Sequence, residues 1–573
     1  MRKFSILAAW ALAALTMMSQ GFATHYSRHC LKQQEVYNAT TTIHVGAAVE
    51  PTIAVNPKNT NNIVTCWQQD RISNAGALEA GIAYSKDGGK TWKNSTVPFQ
   101  ICNGGISQRV TDTWLSFSKD GSRVYLIAIF INAKTERNTQ NQQGVVVTVS
   151  KDGGAHWGKP YFLASSQESL NEPTGLFALD DKTSITADPN YSDLAYAVWD
   201  RFDQAISFHS HTEISRTKNG GKTWTPHKVL YDPFPDLIAH NHSNGILNDN
   251  STVNNIVVVL PKGKKPHMNG DLLNFMVRIF AKPGVTDAQY TNDIFPYQHT
   301  KFDIAFVRSK NQGKTWEKHA HVVHPLDGNL VFTGGYTYKH GHISGGIGAL
   351  IRAGDIIPAF CVNPANGFLY AVWQTGHFRD DKLPQIAISS SRDGGQTWSK
   401  PVRISRTPKH AKNPQAFSPF VAITEDGQLG VLYFDLRNDN KAHINKTKID
   451  AWLAVYNEVE KQNGGSTKAG LNFVKELRLS KKSYIVQHGP TTTQGNMVDG
   501  DYPFLVAQKS KLYAIYTKSF NGPFKKPERL LFDREHHAIV ILDKNKRQAP
   551  FVTIVEAHKK HVHELLTRMM HKD

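Results

Sequence analysis

One octapeptide occurs five times in this chain of 573 residues. The copies read SKDGGKTW (Ser85–Trp92), SKDGGAHW (Ser150–Trp157), TKNGGKTW (Thr217–Trp224), SKNQGKTW (Ser309–Trp316) and SRDGGQTW (Ser391–Trp398). A unit copied this often marks a chain built of repeats that bury their faces against one another. Each copy follows a β-rich run, such as GIAYS (Gly81–Ser85) or TEISR (Thr212–Arg216), so it reads as a hairpin turn. The Asp or Asn side chain accepts hydrogen bonds from backbone N–H groups a few residues on, and the glycine takes φ > 0 without a steric cost. The terminal Trp is expected to pack on the next sheet. A structural role for Asp87 and Asp393 outweighs a metal-binding or catalytic one, since a reactive site is rarely copied five times around a fold.

The repeat tryptophans stand 65, 67, 92 and 82 residues apart, which suits four-stranded blades, two of them with insertions. Five further segments carry a strand, an Asn-Pro or Asp-Gly type turn and a second strand: Pro51–Arg71, Thr113–Phe130, Ser184–Arg201, Pro358–Gln374 and Pro419–Arg437. Gly245–Leu260 and Pro503–Tyr516 are weaker versions. The expected fold is an all-β propeller of six or seven blades over residues 50–555. Residues 24–49 precede it, with Val36–Val45 as a closing strand that would cover an exposed edge. Residues 556–573 read as a basic helical tail. The long insertion Pro261–Lys301 reads as a surface excursion, with a lid over the channel as the other reading.

The first 23 residues have the form of a signal peptide: Arg2 and Lys3, an apolar run Ile6–Met17, and small residues at Gly21 and Ala23. Cleavage after Ala23 would send the chain to the periplasm or medium, with no transmembrane segment left. The formal charge of +18 favours anionic partners such as glycans or envelope components. Nucleic acid is not expected, because no binding motif accompanies the charge. Of the four cysteines, Cys30, Cys66, Cys102 and Cys361, the pair Cys66 and Cys102 could bridge and Cys361 reads as a buried thiol, but the sequence does not fix the connectivity. His340 with His342, and His561 with His563, lack the partners of a structural zinc site. No metal or cofactor is expected.

In a four-stranded blade the start of strand one and the end of strand two share a face, opposite the repeat turns. That face, at the mouth of the central channel, is where a ligand is expected. Ends of second strands bring Asp70 and Arg71, Asp200 and Arg201, and Asp435 and Arg437 there. Starts of first strands bring Glu50, Asp112 and Asp501, with Arg109 and Arg379 nearby. Arginine forks bind carboxylates bidentately. Either each Arg holds the Asp of its own loop, or one or two remain free for an anionic ligand. Convergence of Glu50, Asp112 and Asp501 would instead suit a metal.

The octapeptide resembles the Asp-box of the sialidase (BNR-repeat) superfamily. That resemblance implies a propeller, six-bladed in most members, and a retaining glycosidase. It implies three arginines on the sugar carboxylate, a tyrosine nucleophile with a glutamate, and an aspartate acid/base. A neutral tyrosine attacks beside a carboxylate without charge repulsion. Arg71 matches one family arginine. The family's first arginine position falls in Ala48-Val49-Glu50-Pro51 and is an acid here; the loop Ile72–Gly76, where the acid/base belongs, has no carboxylate. The nucleophile position falls on Phe417, which cannot attack. Tyr502 is a second candidate, and Asn171-Glu172-Pro173 echoes the segment carrying the family's glutamate. The catalytic set (Arg71, Arg201, Arg437, Tyr502, Glu172) is thus incomplete. A glycan-binding propeller, a diverged exo-sialidase-type hydrolase and a protein-binding propeller all remain open.

Overall fold

The computed structural model describes most of residues 41–556, together with 18–21. Segments at 133–141, 166–177, 204–208, 237–249, 283–299, 327–350, 441–445, 460–469, 522–527 and 533–538, and a few shorter ones, lie outside it. Glu172, the four paired histidines, most of the tail and part of the 261–301 insertion therefore fall outside the described residues. Those described form strands and two short 3-10 turns, with no α-helix.

The strands fall into successive antiparallel units. The first is Thr41–Val55, Ile63–Ile72, Ala77–Ser85 and Lys93–Ser95; the second is Arg109–Phe117, Val124–Asn132, Gln142–Ser150 and Tyr161–Ser165. The third is Ala178–Ala187, Ala195–Asp203, Ser210–Thr217 and Lys228–Tyr231; the fourth is Ser251–Val259, Leu272–Ala281, Thr300–Ser309 and His321–Pro325. The fifth is Ala359–Val362, Leu369–Thr375, Gln385–Ser391 and Val402–Arg403; the sixth is Ala416–Ile423, Gln428–Asp435, Lys448–Glu458 and Leu471–Arg478. The seventh pairs Phe504–Gln508, Lys511–Asn521 and Lys546–Glu556, with Met18–Gly21 on its outer edge. Each inner strand touches the next, and Phe504–Gln508 touches Thr41–Val55. The chain is thus an all-β propeller, and its inner strands close a ring. Both weaker openings read from the sequence contribute to it: Gly245–Leu260 supplies the inner strand Ser251–Val259, and Pro503–Tyr516 supplies Phe504–Gln508 and the start of Lys511–Asn521.

The first strand begins at Thr41 rather than at Glu50, and Thr41–His44 pairs in parallel with Val540–Asp543. The expected closing strand is therefore the start of the first inner strand. The outer position of the last unit is held by Met18–Gly21, within the stretch read as a leader.

The Asp-boxes are the expected turns. In the first, Gly89 N–H donates to Ser85 Oγ (2.9 Å) and Thr91 N–H to Asp87 Oδ1 (2.9 Å). The Thr91 hydrogen bonds, chiefly, hold the Asp87 carboxyl at about 2. Asp393 accepts from Thr397 N–H (3.0 Å) in the same way. The box tryptophans pack on the preceding sheet, not the next: Trp224 meets Tyr125 edge-on at 6.4 Å, and Trp398 meets Phe275 at 6.1 Å. The reason is geometric, since the turn leans back over the unit before it; Gly154 of the second box, for example, lies against Val64 and Tyr84 of the first unit.

A second repeated device lies at the other end of the strands. The pairing register breaks between Val49 and Thr52, Thr111 and Trp114, Asp181 and Ser184, Val253 and Ile256, and Phe417 and Phe420. At these bulges Glu50, Asp112, Lys182, Asn254 and Ser418 all have φ between 46° and 64°. Non-glycine residues there are strained by roughly 1–3 kcal/mol each. Side chains of the preceding unit offset that strain by capturing the bulge N–H. Asp112 Oδ2 accepts from Lys182 N–H (2.8 Å), Asp200 Oδ2 from Asn254 N–H (2.9 Å) and Gln374 Oε1 from Ser418 N–H (3.2 Å).

Candidate functional site

The bulges aim successive side chains at one end of the channel, and there Glu50, Asp112 and Asp501 converge with three cations. Lys182 Nζ donates to Asp501 and lies 4.0 Å from Asp112 Oδ2. Arg352 grips Asp501 bidentately, through Nε to Oδ1 and Nη2 to Oδ2, both at 3.0 Å. Glu50 accepts from Gln68 Nε2 and, through Oε1, from Asp501 N–H at 3.3 Å. Gln68 Oε1 in turn accepts from Arg71 Nη1 (3.1 Å). Gly500 packs directly on the Glu50 side chain: a Cβ there would lie 2.2 Å from Glu50 Cγ.

The position a metal would take is filled by the Lys182 ammonium and the Arg352 guanidinium. Among the described residues no group of three His, Cys, Asp or Glu is arranged to hold a metal ion. Neither cation was read from the sequence. Lys182 sits at a bulge position where the other units show Glu50, Asp112, Asn254 and Ser418. Arg352 comes from the long insertion between the fourth and fifth units, through the short strand Ile351–Arg352 paired with Gly495–Met497.

Burial and charge split the carboxyls. Burial, then the neighbouring charges of Asp501 and Asp112, pushes Glu50 up to about 8. Burial also lifts Asp181 to about 7 despite Lys182. Burial would lift Asp501 too, but Arg352 and Lys182 outweigh it and hold it well below the usual range. Arg71 is drawn down to about 10 by burial and by Arg352. Near neutral pH, then, Glu50 carries a proton beside the carboxylates of Asp112 and Asp501. Tyr502 is buried beside them, edge-on to Trp114 at 5.8 Å, and burial holds its hydroxyl well above its usual value.

The three Arg–Asp pairs read from the sequence do not behave alike. Arg437 does bind Asp435, and also Glu476 (2.7 Å), beneath a 3.7 Å cation–π contact with Trp452. Arg201 binds Asp180 (3.2 Å) rather than Asp200, because their strands pair Asp180 opposite Arg201. Asp200 is occupied instead by Thr252, Asn254 and Asn255 of the next unit. Asp70 accepts from Gly46 N–H (2.6 Å) and Gln69, and so is not the partner of Arg71. Arg71 alone of the three turns toward the acid–cation cluster, and its buried Nε has no partner. Arg379 pairs with Asp381, and Arg109 donates to the Ala75 carbonyl (3.3 Å). Phe417 is wholly buried and packs on Phe434.

The expected Cys66–Cys102 bridge does not form. Cys66 is a free thiol buried between the first two units, while Cys102 is disulfide-bonded on the outer Ile101–Asn103 turn. Cys361 is free, as expected. No helix among the described residues is long and apolar enough to cross a membrane.

Residues 83–94 match the family model of the BNR/Asp-box repeat. No curated protein sequence matches the chain. Among solved structures, the α-L-arabinofuranosidase Arb93A of Fusarium graminearum is similar at 14% identity and a TM-score of 0.38, over 69% of this chain and 92% of that one. The NanB sialidase of Streptococcus pneumoniae is similar at 13% identity and a TM-score of 0.37, over 93% and 73%. The polysaccharide lyase Uly1 is similar at 9% identity and a TM-score of 0.46, over 95% and 99%.

Proposed function

We propose that this Asp-box propeller, with seven blades, works outside the cytoplasm and binds a carboxylate-bearing glycan at the channel end opposite its Asp-boxes. One observation carries the reading: Arg71 has no acid of its own and faces a cluster in which Lys182 and Arg352 already neutralise Asp112 and Asp501. With Glu50 protonated, an incoming carboxylate meets surplus positive charge in a low-dielectric setting. The signal-peptide pattern and the disulfide at Cys102 support export, since disulfides persist in oxidising compartments. The sialidase-type catalytic set is incomplete, with Phe417 at the nucleophile position and no family arginine in the Ala48–Pro51 stretch.

A second reading, glycoside hydrolysis, draws on the split between protonated Glu50 and the ionised Asp112 and Asp501. Carboxyls pushed apart in this way can serve as acid and base. Titration calorimetry with sialyl- and glucuronyl-oligosaccharides, against their neutral parents, tests the first reading. Acidic glycans should bind the wild type and lose at least tenfold in Arg71→Ala; equal binding of neutral parents, or of the variant, overturns it. Turnover of a fluorogenic sialoside, lost in Glu50→Gln, would move the assignment to the hydrolase.

A further inference from the structure

A cavity of about 500 Å³ opens on the outer side of the first unit, apart from the channel cluster. Its walls include Trp67, Gln69, Glu79, Asn94, Asn103 and Trp157. Two features of this chain create it. First, the outer strand Lys93–Ser95 pairs with only Ile82–Tyr84, which leaves the Leu78–Gly81 stretch of its neighbour without an outer strand. The Gln100 side chain takes that strand's place, donating to the Leu78 carbonyl (3.0 Å) and accepting from Ala80 N–H (3.2 Å).

Second, the box that borders the cavity departs from the other four. The sixth box position is Lys90, Lys222, Lys314 or Gln396 elsewhere, but Ala155 here; the seventh is threonine elsewhere, but His156 here. Ala155 lines the cavity in place of the longer lysine or glutamine that the other boxes carry.

We infer that this cavity is a second ligand site, and that it takes a neutral saccharide. The half-buried Trp157 ring offers the flat apolar face on which sugar C–H groups stack. Its Nε1–H is buried without a partner, as it is in three other boxes (Trp224, Trp316, Trp398), but among these only Trp157 lines this cavity. Gln69 accepts from Trp67 Nε1 (2.8 Å) and donates to Asp70 (2.7 Å), leaving one N–H and one lone pair for hydroxyls. Asn103 spends an N–H on the Val97 carbonyl (3.2 Å) and keeps its carbonyl oxygen. Among the described residues no lysine or arginine lines the cavity, and Glu79 does, so an anionic ligand of the kind proposed for the channel is unfavoured. The two sites therefore differ in the ligand they take, acidic in the channel and neutral in this outer cavity.

The test is calorimetric titration of the full chain with neutral cello-, xylo- and galacto-tetraose. At least one should bind in the millimolar range or tighter. Ala155→Lys should abolish that binding; other boxes carry lysine at this position, so the turn tolerates it. Asn94→Ala, an exposed change, should weaken binding threefold or more. Arg71→Ala should leave it unchanged, which separates this site from the channel reading. Three results overturn the inference: no tetraose binding at 10 mM, binding that survives Ala155→Lys, or preferential binding of an amine such as spermidine that is lost in Glu79→Gln.

Discussion

Glu50→Gln is expected to stabilise the protein, increasingly so as pH rises above about 4.5. Glu50 is 2% exposed and its carboxyl titrates at about 8 in the fold, against 4.5 when free. Between those values the unfolded chain has lost the proton and the folded chain still holds it. The folded state then binds more protons, so stability falls as pH rises, by about 1.4 kcal/mol per unit. Over the window from 4.5 to 8 this amounts to about 5 kcal/mol, fully absent below 4.5. Glutamine keeps an oxygen to accept from Asp501 N–H and cannot ionise, so the variant should escape the loss. Urea unfolding of wild type and variant at pH 5, 6.5, 8 and 9 measures the difference. The curves should nearly coincide at pH 5 and separate progressively, with the variant more stable by several kcal/mol at pH 9. A difference that is flat with pH, or a variant that weakens as pH rises, would refute the assignment of Glu50 as a proton-holding acid.

Lys182→Met leaves Asp501 and Asp112 short of a buried cation and should cost about 3–5 kcal/mol, read as a lower urea midpoint. The loss should shrink at acid pH as those carboxyls take up protons. Gly81→Ala would bring a Cβ to 2.3 Å from the Trp67 indole, which must then move; about 1–3 kcal/mol of destabilisation and a changed tryptophan emission are expected. Thiol labelling of the native protein should leave both free cysteines unmodified. Burial pushes the Cys66 thiol up to about 12 and lifts Cys361 further, so neither forms thiolate near neutral pH. Labelling within minutes at pH 7.5 would mean that the inner strands open.

The boxes, the strand-turn-strand openings and the place of Glu50, Asp112 and Asp501 near the starts of strands were legible in the sequence because they depend on local rules. Asx turns, glycine at φ > 0 and alternating strand faces act within a few residues, and repetition amplifies each. Each opening rests on the same local signals, so strand, turn and strand could be read from the sequence one unit at a time.

What ring closure alone decided is which side chains meet. Lys182 and Arg352 reach Asp501 from points 319 and 149 residues away along the chain. Arg201 finds Asp180 across its own sheet, and Asp200 serves the next one. Partner choice among charges is set by strand register and by the bulges that turn one residue in each of five inner strands out of the regular ladder. Both are consequences of packing whole blades together, and no run of neighbouring residues encodes them. The same holds for Arg71: its sequence match to a family arginine placed it at a strand end, but its freedom from Asp70 follows from Gly46, brought by the opposing strand to take that carboxylate first.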